Sequence, residues 1–190
     1  MNNRTLGTIA LVFSPCLQLM GMLGASKAPW VESVSAGFGL LFLVGWACSA
    51  TALRHNRVTA GNGRGAQVLY AAQLTLFALA SMQQVFDMTV GRQQHLVYFV
   101  ADMAWPGSMA LMLIAGIAVL RARVWAGWRR FVPLACALFL PVFFALIPLV
   151  GRDLASSLAG WYTVGAWALL AYAVRSTPES KLVPALVAAN

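Results

Sequence analysis

Six apolar runs, at about residues 6–24, 34–53, 66–88, 96–120, 131–150 and 155–174, follow one another with only short polar segments between them. Each approaches the ~20 residues a helix needs to cross the hydrocarbon of a bilayer. No other feature constrains the chain so tightly. In lipid every backbone N–H and C=O must be paired internally, and an apolar run of this length achieves that as a helix. Composition agrees, at 61% hydrophobic and 9% charged residues with a mean hydropathy of +0.76, where a soluble domain carries about 25% charged residues. The expected fold is an all-α integral membrane protein. It is a six-transmembrane-helix bundle with short loops, one domain over residues 1–175 and a short cytoplasmic tail at 176–190.

The basic residues set the expected orientation. Arg4, Arg54, Arg57, Arg64, Arg121, Arg123, Arg129, Arg130, Arg175 and Lys181 fall in alternate segments, and only Lys27, Arg92 and Arg152 fall in the others. Ten bases against three give an N-in, C-in protein by the positive-inside rule. Trp125 and Trp128 stand among the inner bases, and Trp30 and Trp161 near the outer ends, as interfacial anchors do. The formal charge of +8 does not indicate nucleic acid, because the bases form no continuous face. The bilayer is the expected partner, and the expected location is a bacterial cytoplasmic membrane. The run after Arg4 is longer than the apolar core of a signal peptide, and no A-x-A site follows it, so it reads as a retained first span.

Several chemistries find no support in the residues. Cys16, Cys48 and Cys136 each lie inside an apolar run without CxxC spacing, which suits packing rather than a disulfide or zinc site. His55 and His95 fall on opposite sides of the membrane, so a bis-histidine haem is excluded. A retinal-type Schiff base needs an intramembrane lysine, and Lys27 and Lys181 are outside the runs. The loop Gly61-Asn62-Gly63-Arg64-Gly65 lacks the lysine and the strand of a phosphate loop. No HExxH or G-x-S-x-G occurs. Asp87, His95 and Asp102 are too few ligands, with no second shell, to argue a metal. The residues assign no cofactor, and no motif is specific to one family.

The stretch Tyr98–Ser108 departs most from the apolar pattern. Asp102 is an acid inside a predicted span, where acids are costly and functional by default. Pro106 has no N–H, so the helical bond to the carbonyl of residue 102 is missing. Helical spacing puts His95, Tyr98, Asp102 and Trp105 on one face of the fourth run. The same spacing puts Gln73, Leu76, Ala80, Gln83 and Asp87 on one face of the third. A short connection at 89–94 makes the two runs an antiparallel hairpin whose polar faces meet near the outer surface. By rise per residue, Asp102 lies roughly 9 Å and Asp87 roughly 15 Å outward of their run centres. Pro15, Pro141 and Pro148 also fall in spans, and with Pro106 they predict bent helices around a cavity. Gly45-xxx-Ser49 predicts a close helix contact, and Asp153 a cap for the sixth helix.

The expected function is binding or transport of a small molecule or lipid through an outer-half pocket centred on Asp102, with proton coupling through that acid as one form of it. Tyr98, Trp105, Gln83, Asp87 and His95 are the other expected binding residues. Two other readings stay open. One is a non-catalytic assembly or regulatory subunit of a larger membrane complex, or a homo-oligomer. The other is an intramembrane enzyme acting on a lipid or isoprenoid, with Asp102 and Asp87 as acid and base.

Overall fold

The computed structural model describes residues 1–24, 28–59 and 63–178, and these contain helices and no strand. The helices are α1 (Asn3–Phe13), α2 (Cys16–Leu23), α3 (Pro29–His55), α4 (Arg64–Thr89), α5 (Leu96–Asp102), α6 (Ala104–Ala122), α7 (Val132–Ala137), α8 (Phe139–Val150) and α9 (Arg152–Arg175). A 3₁₀ turn, Gly127–Phe131, precedes α7. Their ends follow local chemistry. Asn2 Oδ1 accepts from the Thr5 N–H at 2.7 Å to start α1. Glu32 and Asp153 stand in the first turns of α3 and α9, and Arg54 and Arg175 in their last turns, signs that match the helix dipoles.

Among the described residues, five helical segments are long and apolar enough to cross a membrane: Asn3–Leu23, Trp30–His55, Arg64–Thr89, Leu96–Ala122 and Arg152–Arg175. The run expected at 131–150 is not one straight helix. It is divided into the Gly127–Ala137 and Phe139–Val150 segments, bent by 62°. The protein is a multi-pass membrane protein by this criterion.

Three spans are broken, and each break sits at a proline. Pro106 is the third residue of α6 and Pro141 the third of α8, so the breaks at Met103 and Leu138 both lie three residues before the ring. A proline clashes with the carbonyl four residues back and cannot bond to it, while the first turn of a helix tolerates it. The chain therefore restarts its helix just ahead of each ring. At Pro15 the carbonyl left over is that of Leu11. The Ser14 hydroxyl takes it at 2.9 Å and the Ser14 N–H at 3.4 Å. Pro148 lies inside α8 without a break. The helices α3, α4 and α9 run unbroken.

Aromatic rings fill the centre. Phe42 stacks on Trp105 at 6.2 Å, and Trp46 meets Phe77 at 4.8 Å and Trp167 at 5.5 Å. Small residues let the backbones close up, as membrane helices require in the absence of a hydrophobic drive between them. A Cβ on Gly45 would stand 3.0 Å from Phe13 Cβ, one on Gly7 2.6 Å from Arg175 N, and one on Gly116 2.8 Å from Leu134 N. The expected contact at Gly45 is thus made, against α1. At one end of the bundle Asn3 and Asn56 exchange amide bonds of 2.8 and 3.0 Å, and Asn3 also donates to Thr177 O at 3.4 Å. Gly24, Glu32, Asp87, Arg92 and Arg152 gather at the other end.

Some local expectations are corrected. Asp153 does not cap α9; Gly151, at φ 82°, is the cap, and Asp153 lies in the first turn. Arg64 and Gly65 belong to α4 and not to a loop, while Gly61 and Asn62 lie outside the described residues. Trp125 is buried and so is no lipid-facing anchor, unlike the exposed Trp30, Trp128 and Trp161. The three cysteines are free. Lys27, Lys181 and the tail from 179 lie outside the described residues.

Candidate functional site

The α4–α5 hairpin forms as the spacing predicts, and its polar faces meet. Tyr98 donates its hydroxyl to Asp87 Oδ1 at 2.7 Å. The Gln83 amide donates to Asp87 Oδ2 and, at 3.3 Å, to the Tyr98 hydroxyl oxygen. The Trp105 indole N–H donates to Gln83 Oε1 at 3.1 Å. Four of the six expected site residues therefore form one hydrogen-bonded network. Helical periodicity explains this: residues 83 and 87 are one turn apart on α4, and 98 and 105 are two turns apart along α5 and α6.

Gln84 joins the network, although it lies off the predicted face of α4. It is buried, and its amide donates to Gln83 Oε1 at 2.6 Å. Turned over, the same amide donates to Ala36 O and accepts from Trp105, both at 3.2 Å. Gly39 makes room for it, since a Cβ there would collide with Gln84 Oε1 and stand 2.9 Å from Met20 Sδ.

Asp102 is brought to the same place but stands apart. Among the described residues its carboxylate has no hydrogen-bond partner, and no guanidinium lies within the 4.0 Å of an ion pair. It is half-buried and lines a cavity of about 780 Å³. That cavity carries charge of both signs, with Glu32, Asp87 and Asp102 on its wall beside Arg92 and Arg152. Trp105, Gln83 and Gln84 form its deep side, and Met20, Gly21, Ser35 and Ala36 close it from α2 and α3. The volume lies within the range of small-molecule sites, about 300–1,000 Å³. The broken spans explain how space arises here, because α2 and α5 are the short pieces beyond their breaks and both border this end.

His95 is not on this wall. It caps α5, its Nδ1 accepting the Tyr98 N–H at 3.2 Å, and its ring meets Phe86 edge-on at 5.8 Å. It opens instead on a neighbouring cavity of about 540 Å³, which Arg92, Tyr98 and Asp102 also line. Asp102 thus borders both spaces. Among the described residues no three His, Cys, Asp or Glu side chains come together as a metal site.

Sequence reasoning does not assign Glu32 to the site, and it reads Gln84 and Gly39 as helix-packing residues of their runs rather than as parts of the site. Glu32 is a lone acid just ahead of the second run, a signal that was available. Gln84 needed tertiary information, because only the missing side chain at Gly39 lets a second glutamine turn inward. Comparison with family models, with curated proteins and with solved structures finds no match to this chain.

Proposed function

We propose that this protein is a six-span bundle with both termini on the cytoplasmic side, and that it binds, and in one form carries, a small amphiphilic molecule or lipid in the cavity beside Asp102. The observation that carries the proposal is the Asp102 carboxylate, half-buried and without a partner among the described residues, on the wall of a space of about 780 Å³. A carboxylate kept only for structure would engage a donor on a neighbouring helix, as Asp87 engages Tyr98 and Gln83. An intramembrane acid left open to a cavity is instead available to a ligand or a proton.

The placement of two helix ends supports six crossings. Arg121 ends the span that began at the cavity, and Arg152 stands at the cavity again. The bent pair α7–α8 joins the two, which favours a crossing by this pair despite its 62° bend. The positive-inside distribution then puts the cavity on the extracytoplasmic side.

Acid–base catalysis by Asp102 and Asp87 is the weaker reading, because both Asp87 oxygens already accept hydrogen bonds. A thermal-shift screen of anionic, cationic and zwitterionic amphiphiles in neutral micelles tests binding. A ligand present at about 100 times its Kd stabilises the folded state by about 2.7 kcal/mol. One class should raise the Tm of the wild type and fail to raise that of Asp102→Ala. Equal shifts in both proteins would remove Asp102 from the site.

A further inference from the structure

A second, smaller cavity adjoins the charged one. It measures about 210 Å³ and lies between α2, α8 and α9, lined largely by apolar side chains such as Leu140 and Phe143. Met20 and Gly21 line both spaces. Gly21 is exposed, and a Cβ built on it meets none of the described residues within 4 Å, so the wall shared by the two cavities is thin at this point. Gln18 lines the apolar space; it is buried and has no hydrogen-bond partner among the described residues. Gly160, also on this wall, leaves the room that the Gln18 amide occupies, since a Cβ there would overlap it. Gly160 lies eight residues beyond Arg152 on α9, roughly 12 Å deeper along the helix axis.

We infer that the ligand is a zwitterionic phospholipid-type amphiphile, its phosphate–amine head in the charged cavity and one alkyl chain in the apolar one. The inference rests on the binding reading above and names the ligand class for that site. Arg92 and Arg152 supply two guanidinium groups for a phosphate, which they bind by charge-assisted hydrogen bonds. Asp102 and the Trp105 ring supply a carboxylate and an aromatic face for an ammonium. The chain passes at Gly21, and the Gln18 amide meets the polar group that joins head to chain.

Native mass spectrometry of the full chain in maltoside micelles tests this with three probes. Lysophosphatidylethanolamine has the head and one tail, phosphoethanolamine the head alone, and lysophosphatidylglycerol the same tail on an anionic head. The tailed zwitterion should bind at least about tenfold tighter than the free head, because burying even a few methylenes is worth that much. It should also outcompete the anionic lipid. Gly21→Leu fills the junction, and Ser156→Leu, at an exposed position on the same apolar wall, fills the pocket from α9. Both should abolish the advantage of the tail, and Ser156→Leu, which lies outside the charged cavity, should leave binding of the free head unchanged. If free head and tailed lipid bind the wild type equally, or if both variants keep the full advantage, the tail pocket is wrong and the charged cavity stands. Equal binding of the two tailed lipids overturns the zwitterionic head. If no head-bearing probe binds, the charged cavity fails as a site with it.

Discussion

Tyr98 on α5 donates its hydroxyl to Asp87 on α4 across 2.7 Å, and this bond closes the hairpin whose two helices wall the cavity. It joins residues eleven apart in sequence, so the short 89–94 connection is held shut from the membrane side. Gln83 braces the same carboxylate from one turn earlier. The network fixes Asp87 and Trp105 and leaves Asp102, on the adjoining turn, open to the cavity.

Breaking this bond should show coupling. Tyr98→Phe and Asp87→Asn should each lower the Tm, and the double variant should lose less than their sum. The expected interaction energy is about 1–3 kcal/mol, as for a hydrogen bond to a charged group. Unfolding of the four proteins in mixed micelles measures it, and additive losses would mean the pair contributes nothing to the fold.

Two glycines of α3 should respond in opposite directions to the same change. Gly37 has none of the described residues within 4 Å of an added Cβ, so Gly37→Ala should be neutral or stabilising by up to about 1 kcal/mol. Gly39→Ala should cost about 1–3 kcal/mol, because the Cβ meets Gln84 and Met20 in a packed interior. Comparing the two melting curves checks both, and equal effects would remove the packing role of Gly39.

Topology is testable at the bent span. Reporters fused after Trp125 and after Gly151 should fall on opposite sides of the membrane, with the Trp125 fusion and a fusion after Asn190 both cytoplasmic. Placement of the Trp125 and Gly151 fusions on one side would make α7–α8 a re-entrant pair.

Apolar length alone made the helical class legible, because lipid leaves a long apolar run no other way to pair its backbone. The 3.6-residue period made the Gln83–Asp87 and Tyr98–Trp105 faces legible for the same reason. The prolines announced bends, and the breaks fall at three of the four named. What the sequence did not reveal was tertiary. Gln84 turns inward because Gly39 has no side chain. Glu32 reaches the cavity because α3 starts several residues before its apolar run, at Pro29. His95 serves as a cap, since the first turn of α5 offers an unpaired N–H to its ring nitrogen. Trp125 is drawn inside, where the basic segment around it had suggested the interface.

The most direct test of the site is the amount of amphiphile retained by the purified protein, read by native mass spectrometry for the wild type, Asp102→Asn and Asp102→Ala, with a Tm for each. All three should fold, because among the described residues Asp102 holds no partner that the fold depends on. The wild type should retain a bound lipid-like mass, and both variants should lose it, Asn because it removes the charge and Ala because it removes charge and shape together. An Asp102→Ala protein that keeps the same bound mass at the same occupancy would contradict the reading of the 98–108 stretch as a ligand site.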